Sequence, residues 1–136
     1  MKNTILILAL SLGATSLSAQ ESAPAAPMNG AVQQPAPREE VLAVAGQLKE
    51  ALGNVHNYLG SMEKYIGVAE AGKKESLAGL QSELMASKTG LEAALTEVSR
   101  PEQPDWTRTK ADAEAAISKA HDLLARTKKE TTTAVN

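Results

Sequence analysis

Chemistry in this 136-residue chain would have to come from two histidines, sixteen carboxylates and hydroxyls, because it holds no cysteine. That absence excludes a thiol nucleophile, a thiolate zinc site, an iron–sulfur cluster, c-type haem attachment and any disulfide framework. No G-x-S-x-G, H-E-x-x-H, P-loop or Rossmann glycine pattern occurs. The serines have no base nearby in register. The carboxylates fall on faces opposite the apolar rows or at helix ends, where pairs such as Glu70–Lys74 and Asp122–Arg126 are expected. A catalytic carboxylate pair needs a cleft that raises one pKa, and straight, alanine-rich helices rarely enclose one. The expectation is a protein that is not an enzyme, with no catalytic residue and no cofactor.

The histidines require a calculation of height. His56 falls about 18 residues into the first helix and His121 about 16 into the third. In parallel helices they would stand within roughly 3 Å of one level at 1.5 Å per residue. Height alone would allow a two-histidine metal or haem site. Phase opposes it. Val55 and Ala120 occupy equivalent inward positions, so each histidine is the next residue outward, and such flanking positions face different neighbours. His56 and His121 are therefore read as boundary residues rather than ligands, and Tyr58 is the expected neighbour of His121.

Aromatic residues are scarce: two tyrosines, one tryptophan and no phenylalanine. Tyr58 and Tyr65 form a short row on the first helix, and Trp106 stands at the opposite end of the molecule. Tyr and Trp anchor partner proteins well, so Tyr58, Tyr65 and Trp106 are the candidate partner-binding residues. The competing reading is packing at the bundle edge. For Trp106 that means sealing the lower end against Val41 or Val44.

The elements that must position these residues are helices. Val41, Ala45, Leu48, Leu52, Val55, Leu59, Met62, Ile66 and Ala69 recur at steps of four and three, the spacing of a heptad seam. Val44, Ala51, Tyr58 and Tyr65 form a flanking row, which makes the stripe wide enough for two neighbours. Gly46, Gly53, Gly60 and Gly67 also fall seven apart. Each glycine costs up to about 1 kcal/mol of helix propensity relative to Ala. The row marks either close approach of another helix or an undemanding surface position. Gly72 reads as the stop. A second helix carries Leu77, Leu80, Leu84, Ser87, Leu91, Ala94 and Val98 on one face and ends before Pro101 and Pro104. Asp105 can cap a third helix, with Trp106, Ala113, Ile117, Ala120 and Leu124 on its seam and Leu123 alongside. Three consecutive threonines, Thr131 to Thr133, predict fraying. No segment shows the alternation of a strand.

Before these helices, Met1-Lys2-Asn3 precedes an apolar run of about ten residues and a small-residue exit at Ala19, the pattern of a secretory signal peptide. The run is shorter than the roughly 20 residues of a spanning helix. Residues 20–37 hold four of the six prolines and too few apolar residues to offset ordering entropy, so a disordered tether is expected.

The predicted organisation is a cleaved signal peptide over 1–19, a disordered tether over 20–37, a bundle over 38–130 and a disordered tail over 131–136. The fold is all-α, an up-down-up antiparallel three-helix bundle with coiled-coil-like heptad packing and spans near 38–71, 74–99 and 105–129. The first helix, roughly 50 Å long against 39 and 38 Å, should overhang the others by about two turns. This topology gathers Lys64, Lys73, Lys74, Arg126, Lys128 and Lys129 at one end and Glu39, Glu40, Glu97, Glu102 and Asp105 at the other.

The formal charge of −2 excludes a dedicated nucleic-acid binder, and no stable membrane insertion is expected once the signal is removed. The functional expectation is an exported helical bundle, periplasmic or secreted, that works by contact with a protein partner. Tyr58, Tyr65 and the overhanging end of the first helix are the contact surface, and a second copy is a further candidate partner through that helix. The alternatives are a periplasmic chaperone or envelope scaffold, and a carrier of metal, haem or a small apolar ligand.

Overall fold

The computed structural model describes residues 35–135. The expected signal peptide and most of the expected tether lie outside the described residues. Within them, three α-helices pack against one another and account for 88% of the residues. They are α1 (Arg38–Val68), α2 (Ala71–Val98) and α3 (Trp106–Val135). No strand occurs among the described residues, and no described helix is long and apolar enough to cross a membrane.

Two contacts define the relative directions. Glu40, in the first turn of α1, is paired with Lys110 near the start of α3. Lys73, in the first turn of α2, donates from Nζ to the carbonyl of Thr133 near the end of α3 at 2.8 Å. Helices α1 and α3 thus run the same way, and α2 runs against α3.

The core follows the apolar period. Leu48, Ala51, Val55 and Met62 of α1 are fully buried, as are Leu84, Leu91 and Val98 of α2 and Ala113 and Ala120 of α3. Val41, Ala45, Leu52, Leu59 and Ile66 flank this cluster and are half-buried.

Local chemistry explains the ends. Pro37 precedes α1, and its carbonyl accepts from the Val41 amide at 3.0 Å. Glu39 and Glu40 follow in the first turn, where carboxylates suit the positive end of the helix dipole. At the start of α3, Asp105 caps as expected: its Oδ1 accepts from the Arg108 amide at 3.0 Å.

The α1–α2 connection departs from expectation. The stop is not Gly72, which lies inside α2, but the pair Ala69–Glu70. Both residues are extended, with ψ near 153°. A reversal made this way uses no left-handed residue, so glycine has no advantage there. Buried Ala69 anchors the turn to the core, and the Glu70 carbonyl accepts from the amides of Lys73 and Lys74 at 2.8 and 3.1 Å. Glu70 is thus the cap residue of α2, and the expected Glu70–Lys74 side-chain pair does not occur among the described residues.

Two further expectations are corrected, and one that the sequence leaves open is decided. Helix α3 does not fray at the threonines; it continues to Val135. Thr127 and Thr131 are buried, and the Thr131, Thr132 and Thr133 hydroxyls bond back to carbonyls of the preceding turn at 2.8–2.9 Å. Burial and these bonds outweigh a propensity deficit of at most about 0.7 kcal/mol per residue. The helices have 31, 28 and 30 residues, about 47, 42 and 45 Å, so α1 has no two-turn overhang. Of the two readings of the glycine row, the open surface position holds: among the described residues no other helix approaches it. A Cβ at Gly46, Gly53, Gly60 or Gly67 would meet nothing within 4 Å.

Candidate functional site

Tyr58 and Tyr65 lie one heptad apart on α1, about 10.5 Å along its axis. Both are half-buried against the core. Their rings rest on the flank where the buried seam meets solvent. Among the described residues neither hydroxyl takes part in a hydrogen bond, and none joins Tyr58 to His121.

Trp106 is placed elsewhere. It begins α3 and is half-buried against the core that includes Val44 and is flanked by Val41, in keeping with the edge-sealing role. Its indole Nε1–H also donates to Glu40 Oε2 at 3.2 Å. Lys110 Nζ donates to the same oxygen at 2.8 Å. These two donors, the lysine first, hold the Glu40 carboxyl below its ordinary value. The carboxylate in turn raises the Lys110 ammonium above its ordinary value. The group ties the starts of α1 and α3 together, and the structure does not bring Trp106 into one surface with the tyrosines.

This cluster was not visible in the sequence. Glu40 is separated by 66 residues from Trp106 and by 70 from Lys110, and no spacing rule pairs positions that far apart. Gln103 is a second such residue. Its side-chain amide donates to the carbonyls of Glu97, Val98 and Arg100 at 2.7, 2.9 and 3.2 Å, closing the C-terminus of α2.

His56 and His121 are exposed, each beside a buried residue, Val55 and Ala120. Among the described residues no three His, Asp or Glu side chains gather where they could hold a metal ion. A recess runs between α2 and α3. It is an open groove of about 370 Å³ lined by Ala86, Leu123, Glu83, Lys119 and Arg126, among others. Arg126 pairs across it with Glu83 rather than with Asp122 on its own helix. The ion pair joins two lining residues of the groove, one from each helix.

The chain matches no family model, no curated protein and no solved structure.

Proposed function

We propose that this protein is an exported, non-enzymatic helical bundle that works by binding another protein, with the flank of α1 around Tyr58 and Tyr65 as the contact surface. The observation that carries this reading is the state of the two tyrosines. Each has a half-buried ring and a hydroxyl without a hydrogen-bond partner among the described residues. A rigid apolar body with a free polar tip contributes much to an interface at low entropic cost.

The apolar lead-in over 1–19 supports export, and the proline-rich segment over 20–37 would leave the bundle free to reach a partner. Heptad-like packing of the three helices belongs to the same reading. A periplasmic chaperone or envelope scaffold is the alternative.

The test is a pull-down from culture supernatant and envelope fractions with the parent chain and with Tyr58→Ser/Tyr65→Ser. Circular dichroism checks that the variant is folded. Loss of a specific captured protein supports the assignment. Unchanged capture by a folded variant removes the tyrosines from the site.

A further inference from the structure

The flank of α1 opposite the tyrosines, with the exposed row next to it, forms a second surface. Ala45, Leu52, Leu59 and Ile66 form a half-buried apolar row. Beside it runs a row of exposed residues at the same spacing: Leu42, Lys49, His56 and Glu63. Leu42 keeps 63% of its surface in water. Neither Lys49 nor Glu63 makes an ion pair among the described residues.

The exposed row reverses into its own complement. Lys49 and Glu63 stand one heptad either side of His56, about 10.5 Å each way. Turning the helix end for end about His56 exchanges the positive and negative positions. The apolar row behaves similarly: Leu52 exchanges with Leu59, and small Ala45 with large Ile66. A two-fold interface requires this kind of self-complementarity, since each residue must meet a different residue of the same surface.

We propose that this face of α1 binds a second copy of the chain, with the two α1 helices antiparallel and the two-fold axis passing beside His56. Lys49 of each copy then faces Glu63 of the other, Leu52 faces Leu59, and Ala45 faces Ile66. A parallel pairing would set Lys49 against Lys49 and Glu63 against Glu63, which is repulsive at both positions. The charge pattern therefore selects both the occupant and its direction.

The open glycine row fits this arrangement. Gly46, Gly53, Gly60 and Gly67 border the charged row, and a Cβ at any of them would meet nothing within 4 Å among the described residues. Without side chains there, two helix backbones can approach closely along that border. The contact is one helix pair wide, at the low end of specific interfaces (about 1,200 Å² of total buried surface). The dimer is accordingly reversible and concentration-dependent.

Sedimentation equilibrium at low ionic strength tests this, using the chain as recovered from expressing cells. The parent should pass from monomer to dimer with rising concentration. Lys49→Glu alone, and Glu63→Lys alone, should each raise the dissociation constant about tenfold, because two-fold symmetry turns two attractive pairs repulsive at once. The double variant Lys49→Glu/Glu63→Lys should return to within about threefold of the parent. Both residues are exposed, so circular dichroism should show every variant folded. A parent that stays monomeric throughout overturns the proposal. So does a dimer that ignores the single reversals, or one that the double reversal fails to rescue. The tyrosine reading stands or falls separately, since Tyr58→Ser/Tyr65→Ser should leave this dimer intact.

Discussion

Glu40 in the first turn of α1 accepts a hydrogen bond at 2.8 Å from Lys110 in α3, a contact that closes the end of the bundle where two parallel helices begin. The same carboxylate takes the Trp106 indole proton, so one side chain secures a charge and a ring.

That cluster predicts a pH dependence with a definite sign. The Glu40 carboxyl is lowered from 4.5, so its contribution is present above that value and lost as pH falls through the depressed one. The Lys110 ammonium is raised from 10.5, so its contribution is present below that value and lost as pH rises through the elevated one. The thermal midpoint of the parent should exceed that of Glu40→Gln by a constant margin between about pH 5.5 and 9.5. The two curves should merge at the acid extreme. The margin is expected to be small, because the two side chains keep 45% and 36% of their surface exposed. Parallel curves down to pH 2 would show that the pair does not couple to folding.

Leu48 is fully buried and Leu42, six residues earlier on the same helix, is mostly exposed. Leu48→Ala should cost about 2–5 kcal/mol by removing packed methyl groups and leaving a cavity. Leu42→Ala should change stability by no more than about 0.5 kcal/mol. Urea unfolding of the two variants measures the difference directly.

Gln103 donates to three carbonyls at the α2–α3 turn, of which that of Glu97 also accepts from the Arg100 amide. Gln103→Ala should destabilise by about 1–2 kcal/mol. Gln103→Glu should be at least as damaging, because a carboxylate presents acceptors to acceptors. Guanidinium unfolding midpoints of the two variants would check the order.

The last turns of α3 are structural. A stop codon after Glu130 removes buried Thr131 and the Thr133 carbonyl that receives the Lys73 ammonium. The truncated chain should lose about 1–2 kcal/mol, with a lower thermal midpoint by circular dichroism. An unchanged midpoint would mean that these turns do not contribute to folding.

Much of this architecture is determined by local sequence. Steps of three and four place Leu48, Val55, Met62, Leu77, Leu84, Leu91, Ala113 and Ala120 on common faces, because an α-helix turns once in 3.6 residues and each face seeks the same burial. Pro101 and Pro104 stop α2 because proline lacks an amide proton, and Asp105 starts α3 by satisfying a free amide. These are interactions within a few residues, so their spacing alone reveals them. Tertiary structure decided what depends on distant neighbours. It moved the α1–α2 break from Gly72 to Ala69–Glu70, because burial of Ala69 anchors the turn. It carried α3 through Thr131–Thr133, because Thr131 is buried and Lys73 of α2 reaches the Thr133 carbonyl. It assembled Glu40, Trp106 and Lys110 across two helices. It also left the glycine row of α1 open, with nothing among the described residues within 4 Å of where a Cβ would stand. Periodicity indicates which side of a helix is buried; only the packed bundle determines which side chains meet there and which surface remains uncovered.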